Sequence, residues 1–249
     1  MATIPELRLR RLPDAAALGE AAASDIAAAL IRRLEARPEV RMIFASAPSQ
    51  EATLRSLAGR PGIDWARVTA FHMDEYLGLA PGAPQRFGTW LRAVLFDRVP
   101  IGAVHLIEPG RDARQTAGAY AGLLAAAPID LACMGIGVNG HLAFNDPPAD
   151  LGDRSLVKIV ELDEVSRRQQ VDDGCFATLA EVPSQAITLT VPALLSAAEI
   201  YCMVPGARKR AAVTAALHGP IDGRLPASAL RAHPRCTLYV DDESAPDAG

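Results

Sequence analysis

The feature that most constrains this chain is its alternation of short apolar runs with longer segments of helical periodicity. The runs lie at Val40 to Ala45, Arg67 to His72, Ala103 to Ile107, Ile129 to Gly135, Ala186 to Thr190, Glu199 to Val204 and Cys236 to Val240. Between most of them, apolar residues repeat at helical spacing, over Asp14 to Arg37, Gln50 to Ala58, Arg86 to Asp97, Arg114 to Ala126 and Arg208 to Leu217. A shorter helix is expected over Ala227 to Ala232. Apolar runs of this length, bounded by turn residues, read as buried strands. Strand and helix alternating in this way predict an α/β fold, a mostly parallel sheet covered by helices on both faces. No linker or internal repeat interrupts the pattern, so one domain over residues 1–249 is expected. The stretch from Asn145 to Gly174 is polar and mixed and yields no clear division, and the polar tail from Glu243 is expected to fray.

Composition narrows the function classes. Half the residues are hydrophobic but only 5% are aromatic, which implies an aliphatic core with alanine-rich helices. The net charge of −4 offers no basic footprint, so a nucleic-acid partner is not expected. Cys133, Cys175, Cys202 and Cys236 are far apart in sequence and form no C-x-x-C pair, so neither a zinc site nor a redox dithiol is indicated. Three of the four sit in strand-like runs and read as buried free thiols of a reducing compartment. The N-terminus lacks an apolar signal core, and no run of about 18 apolar residues suggests a membrane span. The expectation is a cytoplasmic protein with no membrane partner.

In open α/β sheets, ligands bind outside the carboxyl ends of the strands. Four loops that follow expected strands hold chemistry-bearing residues. After Val40 to Ala45 come Ser46 and Ser49, which read either as helix N-caps or, at a helix start, as phosphate ligands. After Arg67 to His72 come Asp74 and Glu75. Such a pair is more often a solvated turn, but a partly shielded carboxylate is also a usable general base. After Ile129 to Gly135 comes the loop holding Gly137, Asn139, Gly140 and His141. Its glycines permit close backbone approach to a ligand, and its imidazole both gives and takes protons near neutrality. Asp146, five residues on, either caps the turn before Pro147 or orients the imidazole. After Glu199 to Val204 come Arg208 and Lys209, surface charges unless an anion sits beside them.

These loops resemble those of the glucosamine-6-phosphate deaminase/isomerase family and, more distantly, the 6-phosphogluconolactonases. The carriers are FHMDEYLGL (Phe71 to Leu79), GIGVNGHLAFNDP (Gly135 to Pro147), AITLTVPALLSA (Ala186 to Ala197) and VPGARK (Val204 to Lys209), spread over most of the chain. The resemblance implies a Rossmann-like sheet. It makes Asp74 the proton-shuttling base, gives ring opening to His141 assisted by Asp146, and makes Ser46, Ser49 and Lys209 phosphate ligands. Asn139 joins the catalytic loop, and Glu75, Gly137 and Gly140 are expected against the substrate. The implied partner is a hexosamine phosphate. The implied reaction converts glucosamine 6-phosphate and water to fructose 6-phosphate and ammonia without a cofactor, and a homo-oligomer is compatible with it.

Three departures from the family pattern stand out. Asn139 occupies the place of an aspartate, Asp146 that of a glutamate, and Ala47 and Pro48 interrupt a usually glycine-rich phosphate loop. A further phosphate-binding arginine has no secure counterpart, although Arg167 and Arg168 lie nearby. Restoring the family residue with Asn139→Asp is expected to keep or raise activity. The alternatives are a galactosamine-6-phosphate deaminase, a lactonase-like hydrolase and a non-catalytic sugar-phosphate sensor. The sequence Leu142-Ala-Phe-Asn-Asp146 after the histidine, together with Met73-Asp-Glu-Tyr76, favours deamination over lactone hydrolysis.

Overall fold

The computed structural model describes residues 7–247. Seven strands form one sheet in the order β1-β10-β9-β6-β2-β3-β5, and every pairing in it is parallel. The strands are β1 (Arg8–Leu12), β2 (Val40–Phe44), β3 (Val68–His72), β5 (Ala103–His105), β6 (Leu131–Met134), β9 (Glu199–Val204) and β10 (Cys236–Asp241). Five of these match expected strands to within a few residues at each end, and Ala103 to Ile107 is shortened to β5. β1 was not expected: its sequence RLRRL carries too few apolar residues to signal a strand, and it forms by pairing at the sheet edge with β10.

Side chains of one strand alternate between the two faces of this sheet. Val40, Met42 and Phe44 of β2 enter one core with Leu18, Ile26 and Leu30 of α1 (Ala15–Ala36) and Leu54 and Leu57 of α2 (Glu51–Ala58). Ile43, between them, enters the opposite core with Tyr120 and Leu124 of α4 (Ala113–Ala125), Leu194 of α6 (Val191–Leu195) and Val213 of α7 (Arg210–His218). The sheet is therefore covered on both faces, as the alternation required. Asp14 caps α1 by accepting a hydrogen bond from the Ala17 amide at 2.8 Å, which ends the helix where the sequence placed its start.

The expected strand over Ala186 to Thr190 is not part of the parallel sheet. As β8 (Gln185–Leu189) it is the centre of a second, antiparallel sheet between β4 (Asp74–Tyr76) and β7 (Val157–Glu161). β4 is only three residues long, too short to be recognised as a strand from periodicity. β7 and the following α5 (Glu164–Asp172) resolve the stretch that the sequence left undivided. An aromatic cluster of Tyr76, Phe87, Phe144 and Phe176 packs beneath this sheet and against α3 (Phe87–Leu91), which continues into a π-helical turn over Arg92–Phe96. The tail is not frayed between 243 and 247. Ser244 is fully buried and donates its amide to Asp241 at 2.8 Å, and Arg210 binds Asp247 at 2.8 Å. Among the described residues, no helix is long and apolar enough to cross a membrane.

Candidate active site

The strand order sets where a ligand can bind. From β2 the chain runs outward through β3 to β5, then returns to the other side of β2 with β6 and continues to β9 and β10. The loops after β2 and β6 therefore leave in opposite directions and open a crevice between them, as at the switch point of any open α/β sheet. Ser46, Ser49 and Gln50 line this cleft from the loop after β2, Asp74 from the start of β4 just beyond β3, Gly137 and His141 from the loop after β6, and Lys209 from the loop after β9. Four loops far apart in sequence thus converge, as expected from their positions after strands.

Asp74 is buried and lines the cleft. Burial first, and the neighbouring Glu75 carboxylate second, push its carboxyl well above the usual range. Glu75 points elsewhere. It is fully buried and accepts the backbone N–H groups of Tyr76, Phe87 and Gly88 at 3.0, 3.2 and 3.1 Å, with the Arg86 guanidinium 3.5 Å away. Its carboxylate ties β4 to the start of α3 and does not line the cleft, contrary to the expectation that it meets substrate. The alternation of a strand explains the split, because adjacent side chains project to opposite sides.

His141 is held from several directions. Its backbone N–H donates to Asn139 Oδ1 at 3.1 Å, and its ring Nδ1 lies 2.8 Å from Ser166 Oγ and 3.3 Å from Asp146 Oδ1. Asp146 also accepts from Asn139 Nδ2 at 3.2 Å, from the Asp163 amide at 3.1 Å and from the Ser166 hydroxyl. Burial alone would raise the Asp146 carboxyl, but these bonds from His141, Ser166 and Asn139 hold it down at about 2. Gly137 lies against the ring, since a Cβ there would sit 2.2 Å from His141 Nε2. Gly140 serves the backbone instead: its φ of +83° and the nearby Leu225 side chain exclude a Cβ, and it does not line the cleft. Ala143, on the cleft wall, takes φ +49°, a left-handed conformation that a non-glycine residue adopts at some cost.

At the other end, the hydroxyls of Ser46 and Ser49 are not used as helix caps. The turn Pro48–Gln50 and α2 both start without a side-chain capping bond. Lys209 is half-buried, and burial lowers its amine to about 8. It is the only cationic side chain lining the cleft among the described residues. Arg167 and Arg168 do not reach it. Arg167 donates to the carbonyls of Leu179 and Val182 at 2.8 Å each, and Arg168 pairs with Glu164 on the surface.

Sequence reasoning missed Gln50, Ser166, Gln169 and Gln170. Gln50 is buried and donates to the Met203 carbonyl at 3.1 Å. Gln169 accepts from the Val138 amide at 2.9 Å, bracing the histidine loop, and Gln170 lines the cleft. The three α5 residues fell in the undivided stretch. The one signal there was a helix-length segment with almost no apolar residues to bury. No group of three or more His, Cys, Asp or Glu among the described residues is arranged to hold a metal ion.

Residues 13–239 match the family of glucosamine-6-phosphate isomerases and 6-phosphogluconolactonases. A glucosamine-6-phosphate deaminase of Arthrobacter sp. (strain FB24) is 33% identical over 241 residues, covering 94% of this chain and 90% of the relative. One of Rhodopirellula baltica is 30% identical over 252 residues, covering 98% and 97%. Among solved structures, a monomeric glucosamine-6-phosphate deaminase superposes with a TM-score of 0.88 at 24% identity, covering 96% of this chain and 98% of that one. A 6-phosphogluconolactonase from Shewanella baltica OS155 superposes with a TM-score of 0.79 at 20% identity, covering 96% and 99%. These two structural likenesses bear on the fold alone.

Proposed function

Because the chain belongs to the family of glucosamine-6-phosphate isomerases and 6-phosphogluconolactonases, we propose that its cleft carries out the deaminating isomerisation of an amino sugar phosphate. Glucosamine 6-phosphate and water give fructose 6-phosphate and ammonia, the activity for which the relatives above are named. The observation that carries this reading is one cleft holding a carboxyl of raised pKa, Asp74, and an imidazole, His141, whose Nε2 makes no hydrogen bond among the described residues. Isomerisation needs one base that moves a proton between adjacent carbons and one group that moves a proton between oxygens. The two residues supply one each.

Lys209 and the Ser46 and Ser49 hydroxyls hold the phosphate, which positions the sugar and converts its binding energy into alignment. His141 Nε2 takes the proton of the anomeric hydroxyl, and the ring oxygen gains a proton as the pyranose opens. Asp74, as the carboxylate, removes the C2 proton. The electron pair moves into the C1–C2 bond as the C1 carbonyl oxygen takes up a proton given up by the C2 ammonium, forming an enolamine with a C1 hydroxyl. The proton held by Asp74 then returns to C1, leaving an iminium at C2. Water adds to C2 and ammonia leaves. A carboxyl pushed upward by burial is a stronger base than an exposed one, which suits removal of a weakly acidic C–H proton. Phosphate esters cross membranes poorly, and the four cysteines are free thiols, so we place the reaction in the cytoplasm.

The test is release of ammonia and fructose 6-phosphate from glucosamine 6-phosphate, with galactosamine 6-phosphate alongside. Equal release of both products from glucosamine 6-phosphate is expected. No release from either epimer, by protein that still binds a hexose phosphate, would remove the deaminase reading.

A further inference from the structure

Helix α5 buries a polar face. Its buried residues are Ser166, Gln169 and Gln170. That spacing makes one stripe along the helix, where a helix against a core normally places apolar residues. The stripe faces the histidine loop and the cleft. Ser166 is fully buried, and both contacts of its hydroxyl are to groups behind the cleft: His141 Nδ1 at 2.8 Å and Asp146 Oδ1.

Counting protons at this junction decides its polarity. A hydroxyl has one proton to donate, and an ionised carboxylate only accepts. With Asp146 ionised, the Ser166 proton goes to Asp146. The Ser166 lone pairs then face Nδ1, which must carry the proton shared between them. Asp146 Oδ1 is itself 3.3 Å from Nδ1, a longer contact than the hydroxyl makes. A neutral imidazole protonated at Nδ1 has its lone pair on Nε2, and His141 lines the cleft with its ring packed against Gly137, where a Cβ would clash.

We propose that Ser166 is a positioning residue, which bridges Asp146 to His141 and holds the imidazole in the Nδ1–H tautomer with Nε2 free towards the substrate. The use made of Nε2 rests on the deaminase reading, whereas the tautomer does not. Asp146 and His141 come from one loop, but the group that joins them comes from a separate helix. Docking of α5 and readiness of His141 are therefore one event.

The experiment labels histidine with 15N and reads the His141 ring by long-range proton–nitrogen correlation near neutral pH. The signal is assigned by its loss in His141→Asn, and the same spectra are taken for Ser166→Ala and Ser166→Thr. The wild type and the Thr variant should show the Nδ1–H tautomer alone, and the Ala variant a mixture with Nε2–H. In the Ala variant kcat for ammonia release should fall about tenfold to hundredfold with little change in KM, the cost of losing one buried hydrogen bond at the reacting group. The Thr variant should recover most of that loss. Nε2–H in the wild type overturns the proposal without any variant. An unchanged tautomer in Ser166→Ala, or an altered tautomer with unchanged kcat, also overturns it. Wild-type protein that releases no ammonia would defeat the deaminase reading instead, and the spectra would still decide the tautomer.

Discussion

Helix α1, against the parallel sheet, and helix α5, beside the antiparallel one, bury opposite kinds of surface. α1 buries Leu18, Ile26, Leu30, Leu34 and a series of alanines, and it lies so close to α2 that a Cβ at Gly19 would come within 2.7 Å of Ala52. α5 buries one serine and two glutamines. It is held by its Asp163 cap, which accepts from the Val165 amide at 2.7 Å, by the Arg167 bonds to two carbonyls, and by Ser166 and Gln169 bonds to the histidine loop. Apolar burial is non-directional and supplies stability, whereas buried polar groups demand specific partners and supply geometry. The parallel sheet with α1 is a scaffold. The antiparallel sheet adds Ile187, Leu189 and the aromatic cluster around Tyr76 to the core, and together with α5 it also holds Asp74 and shapes the cleft.

The contrast predicts that changes in the two regions separate activity from stability. The largest effect is expected for Asp74→Asn in β4. Loss of the proposed base should lower kcat by about 10²–10⁴-fold. The same change should leave thermal stability at neutral pH equal or higher. The folded-state pKa of Asp74 lies above its unfolded value, so the folded state loses stability as pH rises and the buried carboxyl ionises; asparagine never ionises. Melting curves at acidic and neutral pH check the sign, and a variant less stable than the wild type at neutral pH would break the comparison.

Leu30→Ala in α1 is the counterpart. Leu30 is fully buried in the core between α1 and the sheet, so truncation should cost about 2–5 kcal/mol of stability. Urea unfolding measures the loss, and kcat per folded molecule should stay near the wild-type value. A matching loss of kcat would show that the scaffold and the cleft are not separable.

Asn139→Asp sharpens the comparison within the cleft. The sequence alone suggested that aspartate would keep or raise activity. The structure reverses the sign, because Asn139 Nδ2 donates to Asp146 Oδ1 at 3.2 Å and a carboxylate there would face another carboxylate. A fall in kcat of roughly tenfold is expected, the scale of one lost hydrogen bond to a charged group. Kinetics of the purified variant decide it, and equal or greater activity would restore the earlier expectation.

The smallest effect concerns the phosphate end. Lys209 loses its charge as pH rises through about 8. KM for the phosphorylated substrate should therefore climb above that pH, by a few-fold at first. Lys209→Arg should flatten the rise, since arginine stays charged. A KM independent of pH between 7 and about 9 would remove Lys209 from phosphate binding.

Most of the scaffold was legible in the sequence, because a strand buried on both faces must be apolar along its length and a helix covering it must repeat with the helical period. That is why β2, β3, β6, β9 and β10 could be placed, and why the loops holding Ser46, Asp74, His141 and Lys209 could be expected at one end of the sheet. β1, β4 and β7 were not legible, since their identity comes from hydrogen bonding to a partner strand and leaves no strong pattern of its own. α5 was passed over for a related reason: a helix whose buried face is polar looks like a solvated segment. Chemistry at single residues divided in the same way. The sequence alone placed Asp74 and Glu75 side by side after a strand, but only the tertiary structure turned one carboxyl to the cleft and spent the other on three backbone N–H groups. Likewise it showed His141 and Asp146 in one loop, but not that Ser166 joins them. Contacts between residues distant in the chain depend on how the elements dock, and a local pattern carries no record of that.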